Sequence, residues 1–180
     1  MYESEILEVY KFSDTTSLPV DCKKIADSIG YKIKTYQSAA LSSEHLSRMM
    51  RVSKDAYVER IRKSIYYNEN ISNNCRIRFS LAHELGHVIM LTDSEDVADI
   101  FASNLLAPRP IVFALQLRTA VQIAEVFNIS ITSANKVIID MHRHGFYNPG
   151  KAGNEMIDYF GLRESCPSLD NVWSKIRMVR

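Results

Sequence analysis

His83, Glu84, Leu85, Gly86 and His87 form an H-E-x-x-H run, two imidazoles four residues apart with a carboxylate beside the first. A helix turns about 100° per residue, so both rings share a face and can reach one ion. Glu84, one step round, falls beside that ion, where its carboxylate can take a proton from water. The pattern therefore predicts metal-assisted hydrolysis, with His83 and His87 as ligands and Glu84 as general base. Zn2+ is the expected ion, since zinc sites of this kind use three protein ligands and leave a fourth position for water.

The third ligand must come from nearby. In the segment from Ser94, Glu95 and Asp99 are four apart and share a face, so one can bind the ion while the other holds a histidine ring by hydrogen bond. We assign Glu95 as the ligand, with Asp99 or Asp93 as alternatives; Asp96 points elsewhere. The helix dipole alone explains acids in a first turn, but not this paired spacing. His142 and His144 are candidates for stabilising an oxyanion, yet a solvated helix end accounts for both, and Tyr66, Tyr67 and Tyr147 receive no catalytic role.

The elements that must position these groups follow from periodicity and punctuation. A helix capped by Asn73 or Asn74 and running over 76–91 carries the pair of histidines; its flanks are apolar on one face and free of proline. Gly86 inside it costs about 1 kcal/mol relative to Ala, which predicts close packing of another segment there. Thr92, Asp93 and Ser94 break the chain before a helix over 95–107, which stops at Pro108-Arg109-Pro110. Upstream, a helical pattern begins at Ile6, Leu7 and Tyr10, a short helix covers Asp21 to Ile29, and 31–36 and 63–68 read as strands separated by a polar stretch from Ser42 to Lys54. Downstream, 119–145 reads as two helices around a turn at Asn128 to Ser130. The expected fold is α+β, a mainly helical zincin-like domain with a small sheet packed on the H-E-x-x-H helix. The expected domain covers 1–145, including a helix-turn-helix-like pair at 119–145, followed by a weakly patterned tail at 146–180 packed on it.

Composition narrows the partners. The chain has 180 residues, 46% hydrophobic and 24% charged, enough for one real core without a metal or disulfide to hold it. A net charge of +1 gives no field to gather phosphates, so direct nucleic-acid binding is not expected. The acidic start lacks the order of a secretory signal and no apolar run approaches bilayer-spanning length, so a cytoplasmic address without a membrane is expected. Cys22, Cys75 and Cys166 are odd in number and widely spaced, which fits reduced thiols.

The joined motifs R-x-R-F-S-L-A-H-E-L-G-H and E-x-x-A-D-x-F-A-x-x-L-L-A-P resemble the ImmA/IrrE family of metallopeptidases, best from Ile65 to Pro108. The resemblance extends more loosely to LPVDCKKIADSIGYKI and IAEVFNIS. It implies that His83, His87 and Glu95 bind zinc and that Glu84 is the general base. Asp99 stands where Asn is common and Ala107 where Met is common; neither change removes a ligand. Asp99 brings the site closer to related E-x-x-x-D metallopeptidases, in which the aspartate supports a histidine from outside the ligand set. Family members often cleave helix-turn-helix repressors of mobile elements or stress responses, so a specific protein of that kind is the expected substrate.

The alternatives are a DNA-binding module and a toxin-antitoxin interaction module with a non-catalytic metal site. The first would read DNA with a helix having only Lys136 and Arg143 as fixed positive charges, alongside Asp140. The second would have no need of Glu84.

Overall fold

The computed structural model describes residues 2–143 and 147–163. The helix bearing the two histidines, α5 (Asn74–Ile89), starts where the Asn73 side chain accepts from the Arg76 N–H. That cap satisfies one of the amide donors a helix leaves unpaired at its start. The chain turns through Leu91, whose φ is +48°, and re-enters a helix at α6 (Glu95–Leu106), where Ser94 accepts from the Val97 N–H. The two helices pack closely at Gly86: a Cβ there would lie 3.0 Å from Ala98 Cα and 3.1 Å from its carbonyl oxygen. The mid-helix glycine thus answers to the close approach expected of it.

Below this pair lies the core. Helix α1 (Glu3–Phe12) contributes Ile6, Leu7 and Tyr10, and α2 (Cys22–Ser28), capped by Asp21, contributes Ile25 and Ala26. They join Leu85 of α5 and Phe101 and Leu105 of α6 in one buried apolar cluster. Three strands form a mixed sheet in the order β1-β3-β2: β1 (Lys32–Thr35) runs parallel to β3 (Ser64–Tyr67), and β2 (Ala56–Glu59) antiparallel to it. Parallel pairing of β1 and β3 requires a crossover. The connection runs through α3 (Tyr36–Ala39), which takes Tyr36 from the end of the expected strand, then α4 (Ser43–Val52), which falls where only a polar stretch was expected, and β2. Helix α4 is capped by Ser42 and buries only Met49, so its apolar signal is thin. Met49, Tyr36 and Tyr66 make a second, small cluster on the sheet. The α+β, mainly helical expectation holds, with β2, α3 and α4 as additions.

Helix α6 ends before Pro108 as expected, but a further helix, α7 (Arg109–Ala114), starts at once with proline in its first turn, where the missing N–H costs nothing. Together Glu95–Ala114 are long and apolar enough to cross a membrane by length and composition, contrary to the reading that no run comes near. That stretch is apolar because it is core: 72% of its window is buried inside the fold. The later pair is α8 (Ala120–Phe127), with a full capping box between Thr119 and Gln122, and α9 (Ile131–Arg143). Between them Asn128 takes the left-handed conformation that ends many helices. Arg109, 1% exposed, donates to the carbonyls of Ser103 and Ala107 and to Asp140 at 2.6 Å, fastening α9 to the end of α6. The tail contains α10 (Lys151–Tyr159), whose Met156 enters the main core and whose Tyr159 hydroxyl donates to the Tyr10 carbonyl. His144, Gly145 and residues from 164 on, Cys166 among them, lie outside the described residues.

Candidate metal centre

The α5–α6 hairpin brings His83, His87 and Glu95 together, with one ligand atom from each within 4.8 Å of the others. The two Nε2 atoms are 3.0 Å apart. Glu95 spans them, with Oε2 3.1 Å from His83 and Oε1 3.5 Å from His87. Asp99 stays outside this cluster: its Oδ1 lies 2.7 Å from Nδ1 on the far side of the His83 ring. Asp93 is turned to Arg60 instead, at 2.8 Å. Of the three acids weighed as third ligand, only Glu95 reaches both imidazoles.

The far nitrogens determine what the near ones can do. The Thr92 carbonyl, 3.0 Å from His87 Nδ1, can only accept, so that nitrogen carries a proton. The Asp99 carboxylate imposes the same tautomer on His83. Two neutral rings so arranged point their Nε2 lone pairs at each other, and the Glu95 carboxylate adds more negative charge at the same point. Only a cation or a captured proton makes that convergence favourable. Nitrogens bound at about 2.0 Å to one tetrahedral zinc stand roughly 3.3 Å apart, close to the spacing here, so the donor set fits a zinc ion.

Glu84 is 8% exposed and lies beside the cluster without entering it. Burial raises the pKa of its carboxyl; positive charge on His83 or His87 pulls the other way, as does a hydrogen bond from the backbone of Val58 on β2. The group therefore sits at the junction of α5 and the sheet edge, with enhanced affinity for a proton. It faces a cavity of ≈ 650 Å³ bounded by β2, the middle of α5 and the α5–α6 turn. Glu95 is largely exposed at the mouth, while His87 is buried at the back.

Several contributors were not foreseen. Arg60, just past β2, reaches across to donate to the carbonyls of His87 and Thr92 as well as to Asp93. It holds the same carbonyl that fixes the His87 ring. Nothing in sequence spacing links residue 60 to residue 92, and the β2 edge was missed because Ala-Tyr-Val-Glu is too short to show alternation. His142 is exposed on α9 and Tyr147 donates to Glu3, both away from the cavity; Tyr66 is buried beneath α4.

The model of the IrrE N-terminal-like domain, a peptidase family, matches residues 39–138. No curated protein and no solved structure gives a significant match. The matched span runs from the end of α3 through both site helices into α9, taking in 100 of the 180 residues and every group in the cluster. A peptidase match over more than half the chain, centred on a helix hairpin whose imidazoles are arranged for a cation, places this chain in the IrrE N-terminal-like family of metallopeptidases.

Proposed function

We propose that the protein is a zinc-dependent endopeptidase that cuts one specific protein in the cytoplasm, a helix-turn-helix transcriptional repressor. The observation carrying the zinc assignment is the convergence of the two Nε2 atoms at 3.0 Å, with both Nδ1 atoms already committed as donors. His83, His87 and Glu95 hold the ion. When bound, zinc supplies Lewis acidity that polarises the scissile carbonyl and lowers the pKa of water. Glu84 takes the proton of the attacking water and delivers it to the departing amide nitrogen. Its burial suits that relay, because a carboxyl with raised pKa keeps the proton between the two transfers. Asp99 and the Thr92 carbonyl keep the rings turned inward throughout. The repressor substrate is supported by the resemblance of the motifs and by a net charge of +1, which equips the chain poorly to act on DNA itself.

The reading is tested with purified protein and a repressor encoded beside it. One zinc per chain is expected by elemental analysis, lost in His83→Ala and His87→Ala, while Glu84→Gln keeps the ion and loses cleavage. Mass spectrometry of the mixture should show a single cut in the repressor, blocked by chelator and restored by zinc, with casein intact. Loss of metal in Glu84→Gln sinks the role assignment; rapid casein degradation with an intact repressor sinks the substrate.

A further inference from the structure

The catalytic cavity does not end at the metal cluster. Two of its lining residues, Val52 and Tyr57, also line a neighbouring groove of ≈ 410 Å³ between α4 and the preceding loop. The groove is walled by Leu41, Met49 and Val52, and Leu41 and Val52 are 92% and 68% exposed. The Tyr57 ring, held against Tyr36 and Tyr66 at 5.8 and 5.3 Å, forms a firm floor where the two spaces join.

Polar groups in the groove are one-sided. Its only formal charge is Arg48, which makes no ion pair or hydrogen bond among the described residues. His45 accepts the Leu41 N–H at Nδ1, so its Nε2 carries the proton and is a second donor. Among the described residues no carboxylate lines the groove. In the catalytic cavity, by contrast, Arg60 is paired with Asp93 and Asp55 with Arg76 at 2.8 Å or less. Arg48 is thus a lining cation whose partner is not supplied from within. A peptide crossing the cavity past β2 leads into this groove, and the matching side chains are an acid for Arg48 and His45 beside an apolar residue for Leu41, Met49 and Val52.

We infer that the α4 groove is a specificity subsite that selects, at a fixed distance from the scissile bond, an acidic residue adjacent to an apolar one. The inference rests on the peptidase reading for its occupant, a polypeptide substrate, but its test can be read independently. Randomised decapeptides are displayed against immobilised, zinc-loaded Glu84→Gln protein, and against the same protein also carrying Arg48→Glu or Arg48→Lys. Retained peptides are sequenced, then offered to the unsubstituted protein.

Expected is enrichment of Asp or Glu next to an apolar residue, kept by Arg48→Lys and replaced by Lys or Arg at that place with Arg48→Glu. Acidic peptides should lose at least about tenfold in affinity on Arg48→Glu, the scale of a hydrogen-bonded charge pair. Absence of acidic enrichment, or the same enrichment with Arg48→Glu, overturns the subsite. Acidic peptides that are retained through Arg48 but never cut leave the subsite standing and count against the peptidase reading. Peptides cut without regard to Arg48 do the reverse.

Discussion

Gly86→Ala separates local helix preference from the geometry of the site. In an isolated helix the change should stabilise by about 1 kcal/mol. Here the new methyl would stand 3.0 Å from Ala98 Cα, 3.1 Å from the Ala98 carbonyl oxygen and 3.3 Å from Phe101 Cδ1. Two of those three atoms are backbone and cannot swing aside. Carbon atoms rest at about 3.5–4.0 Å, so α5 and α6 must separate by roughly 0.5 Å or more at this point. Overpacking of that kind costs about 1–3 kcal/mol, which at least cancels the gain in propensity. The expected net effect is a loss of up to about 2 kcal/mol, read from urea unfolding of the metal-free chain. Ala98 lies one turn beyond Glu95 and one residue before Asp99, while Gly86 adjoins His87. Ligand distances tolerate only about 0.2 Å, so the separation should also weaken zinc, measured by competition with a chromogenic chelator. A Gly86→Ala chain equal to or more stable than the original, with the same zinc affinity, would refute the argument that this glycine sets the helix spacing.

Other perturbations follow from the same distances. Glu95→Ala should weaken zinc far more than Asp99→Asn, which leaves an amide oxygen to accept from His83 but removes the negative charge behind the ring and should cost at most about ten- to a hundredfold; the reverse order in chelator competition would exchange their roles. Arg60→Ala releases the Thr92 carbonyl and the turn behind His87, and should lower zinc affinity by roughly tenfold, with Arg60→Lys between; equal affinities would show that the turn holds itself. Burial pushes the Cys22 thiol from the ordinary 9.0 up to about 11, so the native thiol stays neutral at pH 8 where an exposed one begins to ionise. In a Cys75→Ser, Cys166→Ser chain, Ellman's reagent at pH 8 should react only as the protein unfolds; prompt reaction under native conditions would contradict the burial of α2.

What was legible in the sequence was what repeats or punctuates. His83, Glu84 and His87 announce themselves because four-residue spacing on a helix is a property of the chain alone. Glu95 follows because Ser94 caps the next helix and fixes its starting face. The Asn73-Asn74 pair and Asn128 likewise marked helix ends through their own chemistry. Helix α4 escaped notice because only Leu46, Met49, Met50 and Val52 interrupt a polar run, and its burial is one residue deep. Strand β2 escaped because four residues paired to β3 owe their conformation to the partner strand rather than to themselves. Arg60 could not be found at all: its link to Thr92 exists only once β2 and the α5–α6 turn face each other across the cavity. Helix α7 was hidden by its prolines, which mark a stop for α6 and also suit the start of the helix after it.

The two histidines are held by supports of different stiffness, and this bears on how a metal would reach them. His87 is buried, and its outer nitrogen donates to a backbone carbonyl that is itself tied to Arg60. His83 is braced by Asp99, an acid more than half exposed, and Glu95 is more exposed still, at 77%. Rigidity therefore falls from the back of the cavity to its mouth. Under the proposed reading, a cation arriving from solvent meets the flexible carboxylate first and is passed inward to imidazoles whose tautomers are already set. The ordering cost is then concentrated in one side chain, Glu95, since the rings need no rearrangement to present their lone pairs. The same asymmetry keeps the open side of the cluster toward Val58, Arg60 and the α4 groove, where a polypeptide can lie, and the closed side toward the core that holds α5 and α6 together.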